Sequence, residues 1–167
     1  FFALTLVFAW ICAQRIVFLR RRTVSDYIYF SFTCLIAALV RPEGVIMTFF
    51  ILLAVGILIP LKDFSNLVVV YAGFFLIFGG VYLAWRWSYF GYPLPNPFYV
   101  KGGGHLHYDS LESSVRRTLR LVYPFVPAFL LSFRSKDSFR TGLALALPIV
   151  CSVCMWVLLS DEMNFGG

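Results

Sequence analysis

Six apolar runs, separated by short charged breaks, leave this chain few ways to fold. They are Phe1 to Leu19, Tyr27 to Val40, Val45 to Leu61, Leu67 to Trp85, Leu121 to Phe133 and Thr141 to Leu159. Between the second and third stands Arg41-Pro42-Glu43-Gly44, two opposite charges around a helix breaker. With 60% hydrophobic and 13% charged residues and a mean hydropathy of +0.84, the chain lies outside the range of soluble globular domains. The expectation is an all-α membrane protein of about six transmembrane helices. A long outer loop, 86–120, would carry one short amphipathic helix.

The net charge of +6 does not point to nucleic acid, because the basic residues sit at segment ends and in short loops where they anchor membrane helices. Alternation of the spans puts Arg20-Arg21-Arg22, Lys62 and Arg134/Lys136/Arg140 on one side, which the positive-inside rule makes cytoplasmic. Arg41-Pro42-Glu43-Gly44, the long aromatic loop and Asp161-Glu162 then share the outer face. The apolar first residues carry no basic region or cleavage site of a signal peptide, and the chain is expected to be a fragment of one longer polytopic domain. Cys12, Cys34, Cys151 and Cys154 all fall in apolar runs and read as small apolar residues.

The run Tyr27 to Val40 spans only about 21 Å as a helix, against a hydrocarbon core of about 30 Å. Arg41 and Glu43 are therefore expected below the outer membrane surface, where ionisable groups are expensive unless paired, hydrated or working. Pro42 suits the first turn of the following helix, and Glu43 suits its positive dipole end. The plainest reading of Arg41 and Glu43 is a cap and a pair.

Residues 85–101 are dense in aromatics and punctuated by Pro and Gly, so helix is not expected beyond about Tyr89. Trp85, Trp87 and Tyr89 read as an interfacial aromatic belt. Arg86, Asn96 and Lys101 are candidate donors to phosphate or hydroxyl oxygens, with Tyr99 beside them. Gly102-Gly103-Gly104 lacks the Lys-Ser/Thr of a phosphate loop. His105 and His107 have no third ligand nearby, so no metal is assigned. Asp109 to Leu121 reads as the amphipathic helix, with Leu111, Val115 and Leu119 on one stripe and Arg116, Arg117 and Arg120 off it.

Arg41-Pro42-Glu43-Gly44, then Tyr89-Phe90-Gly91 and Leu94-Pro95-Asn96-Pro97-Phe98-Tyr99-Val100-Lys101, resemble the bacterial polytopic glycosyltransferases of the GT-C superfamily, especially those similar to cell-wall arabinofuranosyltransferases. In these the loop commonly reads Tyr-Tyr-Gly, Leu-Pro-Asn-Thr, an aromatic pair and Ala-Lys. This chain has Phe90, Pro97 and Val100 where the pattern has Tyr, Thr and Ala. The resemblance covers about residues 27–104, and 161–167 loosely. It implies transfer of a sugar from a polyprenyl-phosphate carrier to a hydroxyl of a glycan, lipid or protein acceptor, on the outer face of a bacterial plasma membrane.

The substrate-binding candidates are then Arg41, Glu43, Arg86, Asn96, Tyr99 and Lys101. The superfamily's catalytic carboxylate usually lies in a first outer loop, expected upstream of this chain; Glu43, Asp161 and Glu162 are secondary candidates. No cofactor is assigned, and a divalent cation is compatible with the phosphate chemistry. The rival readings are a transporter or flippase for a lipid or small anion, and a structural membrane subunit in which the charges only pair.

Overall fold

A computed structural model of the chain describes residues 1–19, 21–41, 43–92, 115–116, 119–120, 123–131, 135–136, 138–144, 146–147 and 151. Among these residues all regular structure is helical. The chain divides into two compact units, Phe1–Gly91 and Tyr92–Gly167.

The first unit opens with three apolar helices of 16 or 17 residues: α1 (Phe2–Phe18), α2 (Val24–Val40) and α3 (Glu43–Leu58). At about 1.5 Å per residue each is about 25 Å long. A fourth helix runs unbroken from Leu61 to Phe90, and its 30 residues make it long and apolar enough to cross a membrane. It comprises α4 (Leu61–Phe74), a π-helical turn (Phe75–Gly79) and α5 (Gly80–Phe90).

Helix boundaries follow local chemistry. Thr23 and Asp26 form a capping box that starts α2 three residues before its apolar run, with Thr23 N–H donating to Asp26 Oδ2 at 2.9 Å. Pro60 precedes α4, and residues 62–66, expected as a connector, form its first turns. Nothing in those residues stops a helix, and Asp63 is favoured beside the helix N-terminus. At the far end Gly91 takes φ 74°, a left-handed cap that stops α5 one residue past the expected limit.

The core mixes small and large apolar residues. Ala9 and Ala13 of α1, Cys34 and Ala37 of α2, and Ala54 of α3 are buried, with Ile16, Phe30, Leu52, Val55, Leu67 and Tyr71 filling the remaining space. The large apolar side chains Leu4, Val7, Phe8, Ile11, Phe32, Phe49 and Val69 point outward. At the corner between α2 and α3 the approach is closest: a Cβ on Gly44 would lie 2.3 Å from the Ala37 carbonyl oxygen. Inside the bundle, Thr48 Oγ1 and Tyr71 Oη lie 3.1 Å apart in a hydrogen bond between α3 and α4.

In the second unit a 3₁₀ turn, Tyr123–Phe125, leads into α6 (Val126–Leu131). Ser135 starts a further helical stretch, its Oγ accepting from Ser138 N–H at 3.1 Å, so helix begins within the expected connector 134–140. Of the expected amphipathic helix, residues 115–116 and 119–120 are described, and all four are helical and exposed.

Candidate substrate-binding site

Three ion pairs stand among the described residues, and they divide between the two ends of the helix bundle. At the end holding the 20–26 and 58–63 segments, Arg22 and Asp26 are shielded and paired, while Arg15 stays exposed. Arg22 is 12% exposed; its Nη1 donates to Asp63 Oδ2 at 2.7 Å, and its Nε to the Ile16 carbonyl at 2.8 Å. It thereby ties the C-terminus of α1 to the start of α4. Beside it, Arg15 Nε donates to Asp26 Oδ1 at 3.0 Å, while Asp26 Oδ2 accepts from the hydroxyl and amide of Thr23.

The Thr23 hydroxyl and amide, together with Arg15, hold the Asp26 carboxyl below its ordinary value of 3.8. A carboxyl with a depressed folded-state pKa adds stability above its unfolded value and loses it as pH falls through the folded one. Unfolding titrations between pH 6 and pH 2.5 are therefore expected to lose stability below about pH 4 in the parent, and to lose less in Asp26→Asn. Parallel pH profiles for the two proteins would contradict this role.

The opposite end is built differently. Arg41 leaves α2 in an extended conformation, with its N–H on Ala37 O at 3.2 Å, and its own carbonyl accepts from Gly44 N–H at 2.8 Å. The chain therefore turns from α2 into α3 within a few residues, which sets Arg41 and Glu43 side by side at the bundle rim. Arg41 Nη2 donates to Glu43 Oε1 at 3.3 Å, longer than the pairs at the other end. The guanidinium lies 5.5 Å from the centroid of the Phe2 ring of α1, a cation–π contact that holds it from a third helix.

This pair is incompletely satisfied. The Arg41 side chain is 57% exposed and uses one of its five N–H groups on Glu43. Glu43 is 25% exposed, and its Oε2 is shielded from solvent with no hydrogen-bond partner. A shielded carboxylate oxygen without a donor is costly, so this arrangement suits a group that supplies one. Chemically, the rim offers a guanidinium to an anion and, next to it, an acceptor to a hydroxyl.

Arg86 lies on α5 between Tyr82 and Phe90, each four residues away and thus on one helix stripe. Its Nη1 donates to Tyr82 Oη at 3.3 Å, its guanidinium lies 5.6 Å from the Phe90 centroid, and its Nε is shielded without a partner. Trp85 stacks on Tyr89 at 5.9 Å, extending this aromatic sleeve. Among the described residues, no hydrogen bond, ion pair or ring contact joins Arg86 to Arg41 or Glu43. Asn96, Tyr99, Lys101, Asp161 and Glu162, together with His105 and His107, lie outside the described residues. No cluster of metal-ligating side chains occurs among the described residues.

Sequence reasoning passed over Arg15, Asp26, Asp63 and Phe2. The Thr23-x-x-Asp26 spacing carried a signal for Asp26, whereas Phe2 beneath Arg41 is a tertiary contact that no local pattern announces. No protein-family model, no curated protein and no solved structure matches this chain.

Proposed function

We propose that the chain is part of a polytopic membrane glycosyltransferase, similar to the GT-C cell-wall arabinofuranosyltransferases. It would move a sugar from a polyprenyl-phosphate carrier to an acceptor hydroxyl at the extracytoplasmic face of a bacterial plasma membrane. The observation that carries this reading is a contrast between carboxylates at the two bundle ends: Asp26 has donors on both oxygens, whereas Glu43 keeps one shielded oxygen without a partner beside the Arg41 guanidinium.

Many large apolar side chains facing outward, and the close backbone approach at Gly44, suit helices surrounded by lipid. In this reading the apolar runs 1–19, 27–40, 45–61 and 67–85 of these helices are four of about six spans. The Arg22–Asp63 end faces the cytoplasm, where short basic connectors belong. In this reading Arg41, at the end of a short helix, would sit below the outer membrane surface, within reach of a lipid phosphate.

Transfer with inversion breaks the bond between the anomeric carbon and the phosphate oxygen as the acceptor oxygen attacks from the opposite side. Charge develops on the departing phosphate, and fixed cations stabilise it. Arg41 fills that role, with Arg86 and Lys101 as further cations and Asn96 and Tyr99 as hydroxyl contacts. The acceptor proton passes to a carboxylate. Glu43, paired to Arg41, holds the acceptor hydroxyl or orients the guanidinium.

In the full-length protein, Arg41→Ala is expected to lower kcat/KM for transfer from a polyprenyl-phosphate sugar about tenfold to a hundredfold, the worth of one charge-assisted contact. Expression and unfolding midpoint should stay within those of the parent. Arg41→Lys, which keeps the charge and loses the planar fork, should recover part of the rate. Unchanged transfer in Arg41→Ala would sink the assignment, and movement of the intact lipid-linked sugar without transfer would replace it with a transporter.

A further inference from the structure

The 61–90 helix changes character at its middle. Its first half is fixed at every turn. Asp63 is held by Arg22, Leu67 is fully buried, and Tyr71 bonds Thr48, tilts against Phe30 at 6.3 Å and stacks on Phe75 at 4.4 Å. In its second half, α5, no residue is buried. The π-turn Phe75–Gly79 lies between the halves, followed directly by Gly80.

Two adjacent glycines in a continuous helix need a reason, and the usual two are absent. Gly79 and Gly80 have φ of −66° and −63°, ordinary helical values open to any residue. Among the described residues, a Cβ on Gly80 would meet nothing within 4 Å, and on Gly79 only Leu35 Cδ1 at a comfortable 3.6 Å. Neither dihedral nor space demands glycine. What remains is backbone softness, since glycine is the weakest helix former apart from proline, and π-turns and glycine pairs are where helices bend.

We infer that Phe75–Gly80 is a hinge on which α5 pivots while α4 stays locked in the bundle. The moving arm carries Tyr82, Trp85, Arg86 and Phe90, so the pivot varies the distance between Arg86 and the static Arg41–Glu43 rim. Only that last consequence rests on the proposed function: an arm of this kind admits a lipid-linked substrate in one position and brings Arg86 to it in another.

The hinge is tested in the full chain, reconstituted in lipid nanodiscs with its native cysteines replaced and without any substrate. Spin labels at Val45 and Val69, both within the bundle, should give a narrow distance distribution by double electron–electron resonance. Labels at Val45 and Trp87, across the hinge, should give one at least twice as wide. Gly79→Ala combined with Gly80→Ala should narrow the second distribution to the width of the first and leave the first unchanged. Equal widths in the parent, or a cross-hinge width that the alanines do not alter, would overturn the hinge. Loss of an assembled oligomer at unaltered width would overturn it too, by making the glycines a helix-docking face. Because no sugar donor is present, failure here and failure of the Arg41 transfer assay are separate results.

Discussion

Arg22→Ala is expected to cost about 3 kcal/mol of unfolding free energy, the loss of one partner from a largely shielded, hydrogen-bonded ion pair. Three acceptors depend on this guanidinium: Asp63 Oδ2 and the carbonyls of Ile16 and Val17. The carbonyls belong to the last turn of α1, where intrahelical donors have run out, so alanine leaves them to whatever water reaches the site. Asp63 is 30% exposed and recovers some hydration, which places the cost at the low end for breaking a buried pair. Arg22→Ala with Asp63→Ala should be less destabilising than the sum of the two single changes, because the stranded carboxylate is gone. Denaturant titration of the full chain in mixed micelles measures all four proteins. A cost below about 1 kcal/mol would place Arg22 among ordinary surface pairs.

Gly44→Ala is the second large effect, at about 2–3 kcal/mol net. The added methyl would stand 2.3 Å from Ala37 O and 2.6 Å from Ala37 C, both backbone atoms of α2, so α2 and α3 must part to admit it. Overpacking of this kind costs about 3 kcal/mol where nothing can rotate away, offset by up to about 1 kcal/mol of better helix propensity. Gly56→Ala is the control. Its methyl would also come too near, at 2.6 Å, but the atoms met are on the Phe64 ring, which can turn aside. That substitution should cost about 1 kcal/mol or less. Equal destabilisation by the two alanines would show that the α2–α3 corner is not held by close backbone approach.

The start and stop of helices were largely legible. The helix break after Val40 and the end of helix near Tyr89 follow from helix-breaking residues in the sequence. Residues 62–66 are charged yet helical, because a helix tolerates Lys62 and Asp63 in its first turn and nothing there removes a backbone donor. The candidate site was legible as residue types at Arg41, Glu43 and Arg86. Its state was not, since pairing, shielding and the support of Phe2 depend on which helices lie together.

The sequence by itself determined that this chain is helical, strongly apolar and broken by a charged turn after Val40. Those properties follow from local propensity and from the sheer excess of apolar residues. Only the tertiary structure decided that Arg22 ties one end of the bundle to Asp63 while the other leaves a shielded Glu43 oxygen unpartnered beside Arg41. The reason is physical: whether a charge is satisfied depends on donors and acceptors brought from distant positions, such as Asp63 to Arg22 across 41 residues, and no spacing along the chain encodes that distance.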